Sequence, residues 1–275
     1  MKMLRHQQGM SLIELMIAMV LSLVVVYFVM QILIGSNQTA SLADTLTQSQ
    51  ETGRFSISYL NRSALRAGYD PEGEDLQPFA NLCTADNPTA ANGMCTQDTD
   101  NTVDGETTGD RLAIVRTAEA GNATSCWGSN LVLANNTQVA DVFWVEVNDD
   151  GLSSLVCRTY NFGTGVAMVD AQPLAAGVIA MHVLYGQSAA DSATGERNVT
   201  TYVPADDLSN NTGLDYSRDW ERVYAVRVAL LTQAFDDTSG LVGARNYILF
   251  DAAPYQYDDR FARQVFTTTV ARANF

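Results

Sequence analysis

Lysine is almost absent from this 275-residue chain, and histidine nearly so. The one lysine is Lys2, and the histidines are His6 and His182. A Schiff-base lysine, a phosphate-loop lysine and a multi-histidine metal site have almost no residues to be built from. No C-x-x-C pair and no G-x-S-x-G elbow occurs either, so neither thiol–disulfide exchange nor α/β-hydrolase chemistry has its signature. Basic residues number 16 against 31 Asp plus Glu, and the formal net charge is −15. Such a surface repels phosphate backbones and argues against nucleic acid as a partner. The hydrophobic share, 47%, suits a chain able to bury a full core.

What is present starts at the N-terminus. Residues 1–9 read MKMLRHQQG, short and basic, and Met10 to Ile34 form a long apolar run. A helix needs about 20 apolar residues to cross a bilayer, so this run is long enough. Lys2 and Arg5 precede it, which places the N-terminus on the cytoplasmic side and everything after Ile34 outside. A secretory signal peptide has an apolar stretch of about 7–15 residues with a small-residue cleavage site after it. This run is longer, and no A-x-A follows Ile34. A plain signal anchor fits the length but leaves Glu14 unexplained. A carboxylate costs about 2.5–3.5 kcal/mol at the bilayer centre, less near the edge, and marks a functional position.

Gly9-Met10-Ser11-Leu12-Ile13-Glu14-Leu15 resembles the class III signal of type IV prepilins and type II secretion pseudopilins. The resemblance implies cleavage between Gly9 and Met10 by a membrane prepilin peptidase. It also implies methylation of the new N-terminus at Met10, where the family most often has Phe. Glu14 is then expected to pair with the N-terminal amine of a neighbouring subunit during assembly. Removing residues 1–9 takes Lys2, Arg5 and His6 with it. The remainder holds 14 arginines against 31 carboxylates, a formal charge of −17, with no lysine and His182 alone.

Beyond the run, Leu42, Leu46, Gly53, Ile57, Leu60, Ala64 and Ala67 recur at spacings of three, four and seven. The pattern predicts one helix from Met10 to Ala67, capped by Gly68 with Pro71 shortly after, and open to bending at Gly35 and Gly53. Residues 70–110 read as loop. Strands are predicted over Leu112–Arg116, Val142–Asn148, Leu155–Tyr160, Val178–Tyr185, Val223–Leu231, Tyr247–Phe250 and Val265–Ala271. Asp149-Asp150-Gly151 reads as a hairpin turn, and Asp206–Asp219 as a polar loop. One long helix followed by strands indicates an α+β fold, the helix packed on an antiparallel sheet. The expected organisation is a leader (1–9), a membrane and assembly helix (10–34), an amphipathic second half (35–68) and a β-rich globular domain (69–275).

Four cysteines, Cys83, Cys95, Cys126 and Cys157, follow an export signal and point to structural disulfides. They allow three connectivities. Cys83–Cys95 and Cys126–Cys157 are favoured because each closes the shortest loop; four free buried thiols are the alternative. Asp98, Asp100, Asp104, Glu106 and Asp110 crowd one loop, and Asp100 with Asp104 half-match a calcium loop. Arg111 stands where the bidentate glutamate belongs, so a solvated acidic loop is the stronger reading and no cofactor is expected. His182 sits inside a strand pattern and reads as a core or edge histidine. Trp127, Trp144 and Trp220 read as core rather than a binding surface.

Later blocks narrow the resemblance. Gln50-Glu51-Thr52-Gly53-Arg54-Phe55, Leu65-Arg66-Ala67-Gly68-Tyr69, Gly109-Asp110-Arg111-Leu112, Pro173-Leu174 through Val183-Leu184-Tyr185-Gly186, Trp220, Val226-Arg227-Val228 and Leu230-Leu231 are similar to the PilW family of minor pilins. Arg263-Gln264-Val265-Phe266-Thr267-Thr268-Thr269-Val270 is the most distinctive of them. Asn61-Arg62-Ser63-Ala64 departs from the family, which usually has an Arg-Asp pair there. The resemblance implies a non-enzymatic subunit that joins other minor pilins in a complex priming pilus assembly and sitting at its tip. Implied partners are the prepilin peptidase, the other minor pilins, the major pilin, the inner-membrane assembly platform and a tip adhesin. The implied location is the inner membrane, single-pass with a periplasmic domain, and then the pilus. A minor pseudopilin of a type II secretion system is the first alternative, and a membrane-tethered periplasmic ligand-binding module the second.

Overall fold

A computed structural model describes residues 11–73, 76–81, 93–99, 109–148, 150–188, 198–209, 220, 222–237 and 243–272. The chain forms two compact units, Met1–Asp44 and Thr45–Phe275. Helix α1 runs unbroken over Leu12–Ala64 and contributes to both. It passes straight through Gly35 and Gly53, so neither glycine breaks or unwinds it as the sequence pattern allows. At Gly35 the carbonyl also accepts the Thr39 hydroxyl at 2.9 Å.

In the second unit the helix buries Gly53, Leu60 and Ala64 of the predicted apolar stripe together with hydroxyl-bearing residues beside it. Thr45, Ser49, Gly53, Ser56, Leu60, Ser63 and Ala64 are buried, whereas Leu46 and Ile57 are only half-buried. The face is made of small and hydroxyl-bearing residues because the backbone comes very close to the sheet. A Cβ at Gly53 would stand 2.2 Å from the Phe266 ring. One turn away the Ser49 and Thr232 hydroxyls share a hydrogen bond of 2.8 Å. The helix ends at Ala64, three residues before the predicted end. Arg66 and Ala67 bond to the carbonyls of Ser63 and Ala64, and the Gly68 N–H turns to the Val115 carbonyl at 2.8 Å. Ala67 is fully buried without being helical, which is why its spacing extends the pattern too far.

Strands β1 (Leu112–Ala118), β2 (Thr137–Val147), β3 (Ser153–Asn161) and β4 (Gln172–Ala176) form one antiparallel sheet in that order. There follow β5 (Val178–Ser188), β6 (Val199–Val203), the short helix α2 (Ala205–Ser209), β7 (Val223–Asp237), β8 (Arg245–Tyr247), β9 (Tyr255–Tyr257) and β10 (Phe261–Ala271). The second antiparallel sheet has the order β10-β7-β5-β6, and β8 pairs with β9. At the β2–β3 hairpin the Asn148 side-chain oxygen accepts the N–H groups of Asp150 and Leu152, organising the turn.

The main core lies between the helix end and both sheets, with Leu60, Phe79, Ile114, Phe143, Met181, Tyr185 and Trp220 among its members. Each sheet is also covered on its outer face. Leu76, Ala80 and Met94 pack over Ala113, Val115 and Val142, so every residue of β1 is buried and the strand reads as a continuous apolar run. Leu249, Ala252 and Tyr255 cover Ala180, Ala229 and Leu231. That cover corrects the strand predicted at Tyr247–Phe250. β8 stops at Tyr247, Phe250 has a positive φ of 52°, and the apolar residues there form a lid rather than a strand. β4, β6 and β9 span only 5, 5 and 3 residues, too few to show an alternation. The polar stretch predicted as loop from Asp206 holds α2, which buries Leu208. Of the tryptophans, only Trp220 is core. Trp144 is half-buried beneath the Arg111 guanidinium, 5.3 Å from its ring centre, and Trp127 is 39% exposed.

The Gly53 notch gives a direct test. Gly53→Val puts a branched side chain where the Phe266 ring sits and should cost about 1–3 kcal/mol by overpacking. Urea denaturation followed by tryptophan fluorescence should show a lower midpoint. An unchanged midpoint would mean the notch is not required.

Candidate functional site

The start of α1 carries its own signal. Ser11 precedes the helix, and its hydroxyl accepts the Ile13 N–H at 3.3 Å. Glu14 reaches back, its carboxylate accepting the Ser11 N–H at 3.0 Å. This reciprocal arrangement is a capping box, and a carboxylate in the first turn also meets the positive end of the helix dipole. From Leu12 to Ile34 the large apolar side chains are 45% to 78% exposed. An 18-residue window of α1 reaches a mean hydropathy of 2.7, and the helix is long and apolar enough to cross a membrane. A surface of this kind calls for lipid or for other apolar helices. Gly9 and Met10 lie outside the described residues.

A second constellation joins the two sheets. Gly109, with φ of 92°, approaches β5 so closely that a Cβ there would stand 2.0 Å from the Met181 carbonyl oxygen. The Asp110 N–H donates to that same oxygen at 2.7 Å. The buried Asp110 carboxylate accepts the Val183 N–H at 2.7 Å and the Thr99 N–H at 3.0 Å, and lies 3.3 Å from His182 Nδ1. On the other side of the ring, His182 Nε2 meets the Tyr255 hydroxyl at 2.7 Å. An Asp–His–Tyr chain of this order has the elements of an acid–base relay, but His182 is only 1% exposed. Its hydrogen bonds tie the loop before β1, strand β5 and the β8–β9 cover together. Burial raises the Tyr255 hydroxyl above its ordinary value, and burial likewise raises Asp251. At the margin, burial and then a hydrogen bond with Asp206 push Asp98 up to about 8.

A third constellation surrounds the Cys126–Cys157 disulfide. Arg116 and Asp141 face each other across β1 and β2, both buried, at 2.7 Å. Asp141 also accepts the Thr159 hydroxyl at 2.7 Å, and Thr159 accepts the Cys126 N–H at 2.7 Å. The second Arg116 nitrogen donates to the Thr124 carbonyl at 2.6 Å, and the Tyr59 hydroxyl of α1 donates to the Cys126 carbonyl. The disulfide closes a separation of 31 residues, which a chain-entropy argument values at about 3.5 kcal/mol. Cys95 is disulfide-bonded too, while Cys83, its expected partner, lies outside the described residues. So do Asp100 and Asp104 of the half-matched calcium loop. Among the described residues no group of three or more His, Cys, Asp or Glu side chains is placed to hold a metal.

Several of these residues carry no local motif. Arg116–Asp141 and Asp110–His182 are separated by 25 and 72 positions. The available signal was a charged or imidazole side chain inside an otherwise apolar strand, which requires a buried partner.

Residues 142–274, from β2 to just past β10, match the family model of type IV pilus-assembly protein W. Residues 4–26 match the model of the prokaryotic N-terminal methylation motif, which spans the capping box and about two thirds of the exposed apolar run. No curated protein and no solved structure matches the chain.

The Asp98–Asp206 contact makes stability depend on pH. Asp98 is raised in the folded state to about 8, against about 3.9 for an unperturbed carboxyl. Its contribution is therefore complete below about pH 4, falls as pH rises, and is lost above about pH 8. Asp98→Asn keeps a hydrogen-bond donor and cannot ionise. Melting temperatures between pH 5 and pH 9 should decline less in the variant than in the parent; parallel curves would show that the pair does not titrate.

Proposed function

We propose that the chain, whose residues 142–274 match the PilW model and residues 4–26 the N-terminal methylation motif, is a PilW-family minor pilin acting in a complex that primes pilus assembly and stays at the tip. The observation that carries the reading is the start of α1: a capped, acidic first turn leading into an apolar surface that is exposed among the described residues. The prepilin peptidase cuts between Gly9 and Met10, and Met10 becomes the methylated N-terminus. The helix waits in the inner membrane over residues 10–34, with everything after Ile34 on the periplasmic side. It then passes, through the inner-membrane assembly platform, into a bundle with the other minor pilins and the major pilin. A tip adhesin is a further partner of the complex, and pilus-driven twitching its outcome.

Glu14 supplies the register. Both its carboxylate and a free N-terminal amine are unfavourable in lipid, by about 2.5–3.5 kcal/mol for a charge at the bilayer centre. Pairing Glu14 of one subunit with the Met10 amine of its neighbour offsets part of both penalties and so favours the staggered arrangement over unpaired charges. The hydrogen bond to the Ser11 N–H holds Glu14 ready in the meantime.

Two variants separate processing from assembly. Gly9→Val should leave a precursor longer by the nine leader residues, visible by mass spectrometry of membrane extracts; normal processing would rule out the leader assignment. Glu14→Ala should be cut normally yet fail to support pili, counted by electron microscopy after shearing. Normal piliation in that strain would falsify the pairing role.

A further inference from the structure

Strand β10 is the edge of its sheet. Over Phe261–Ala271 it pairs with β7 alone, so the backbone groups pointing away from β7 have no strand partner among the described residues. Soluble proteins usually blunt such an edge with charge, proline or a covering element. Here a bulge between Phe261 and Arg263 disturbs only one end, and the stretch from Gln264 to Ala271 is uncharged, rich in threonine and paired without interruption.

Beside this edge runs a groove of about 450 Å³ between β10 and α1. Phe266 and Thr267 line one wall, and Arg54, Ile57, Asn61 and Arg62 are on the other. Arg54 and Arg62 are exposed and lie two helical turns apart on one side of α1. Neither forms an ion pair among the described residues; the Arg62 Nε only donates to the Ser58 carbonyl at 3.4 Å. Other arginines are committed: Arg116 to Asp141, Arg158 to Asp170, Arg263 to Asp259, and Arg227 over the Tyr202 and Phe250 rings. Two uncommitted cations beside an uncharged, open strand edge are notable in a chain with a net charge of −15.

We infer that this groove receives an extended, carboxylate-bearing segment of another protein chain, which adds as a further strand to β10 and places two acidic side chains against Arg54 and Arg62. The dimensions agree. Eight residues of helix span about 12 Å at 1.5 Å per residue, and residues four apart on a strand span about 13 Å. Carboxylates at positions i and i+4 of the added strand emerge on one face and reach both guanidiniums. The backbone edge provides affinity, and the arginine pair selects sign and spacing. The inference rests on the globular unit and is independent of leader cleavage and of Glu14, so its failure would leave the pilin reading intact.

The test uses the full chain in detergent micelles and two synthetic nonapeptides of alternating threonine and valine. One carries glutamate at its third and seventh positions, the other lysine at the same two. Fluorescence anisotropy of labelled peptide should give a dissociation constant at least about tenfold lower for the glutamate peptide. Hydrogen exchange of the β10 amides should slow when it is bound. In Arg54→Glu/Arg62→Glu, with circular dichroism unchanged, the preference should reverse. Absence of saturable binding, equal affinity for the two peptides, or an acidic preference that survives the double substitution would each overturn the inference. The comparison of peptides on the unaltered chain holds even if the double variant folds poorly.

Discussion

The Phe266 ring seated over Gly53 is the contact on which the rest of the globular unit depends. A side chain at position 53 would hold the helix away from β10. With none there, the backbone settles close enough for Ser49 to meet Thr232 and for Asn61 to come within 3.5 Å of Thr268. The helix end can then place Leu60, Ala64 and Ala67 in the core shared by both sheets. Dispersion falls steeply with separation, so a few tenths of an ångström along this seam matter to every contact beyond it. A helix face of serine, threonine and glycine therefore holds its sheet by proximity, where a leucine-rich face would hold it by area.

The two sheets are joined by polar groups as well as by the apolar core. Asp110 is the connector: its N–H and its carboxylate both reach β5, and His182 extends the chain to Tyr255. Arg116 and Asp141 do the equivalent work within the first sheet and tie it to the disulfide-closed loop. Burying charges is costly, and an apolar replacement of equal volume can be more stable. What the polar groups add is a single permitted arrangement, since a shifted strand would leave a buried carboxylate or guanidinium without its partner. Strands as apolar as β1 and β7, buried on both faces along much of their length, otherwise have little to fix their register.

The parts of this architecture legible in the sequence are those written in short-range patterns. The apolar run, the acidic residue at its start, the long strands and their antiparallel order follow from periodicity and length. The helix stripe is legible only in part, because hydrophobicity is a poor guide where close approach selects small residues: Gly53, Leu60 and Ala64 are buried as the spacing indicates, but so are Thr45, Ser49 and Ser56, while Leu46 and Ile57 are only half-buried. The Tyr247–Phe250 segment misled because a lid and a strand have the same apolar composition. Asp110, His182, Arg116 and Asp141 acquire meaning only from partners far along the chain, although a charge inside a buried strand announces that such a partner exists.

The capping box at Ser11 and Glu14 has a consequence for how a filament would grow. The Glu14 carboxylate is already engaged in the lone subunit, by its own backbone. In the proposed pairing, docking is therefore an exchange of partners, amide for ammonium, and its driving force is the difference between two bonds. A difference of that size is easily tipped either way. The same exchange run backwards returns each carboxylate to a ready acceptor, so subunits leave without exposing a bare charge to lipid. A polymer built on such a swap is suited to repeated extension and retraction from one pool of membrane-resident subunits.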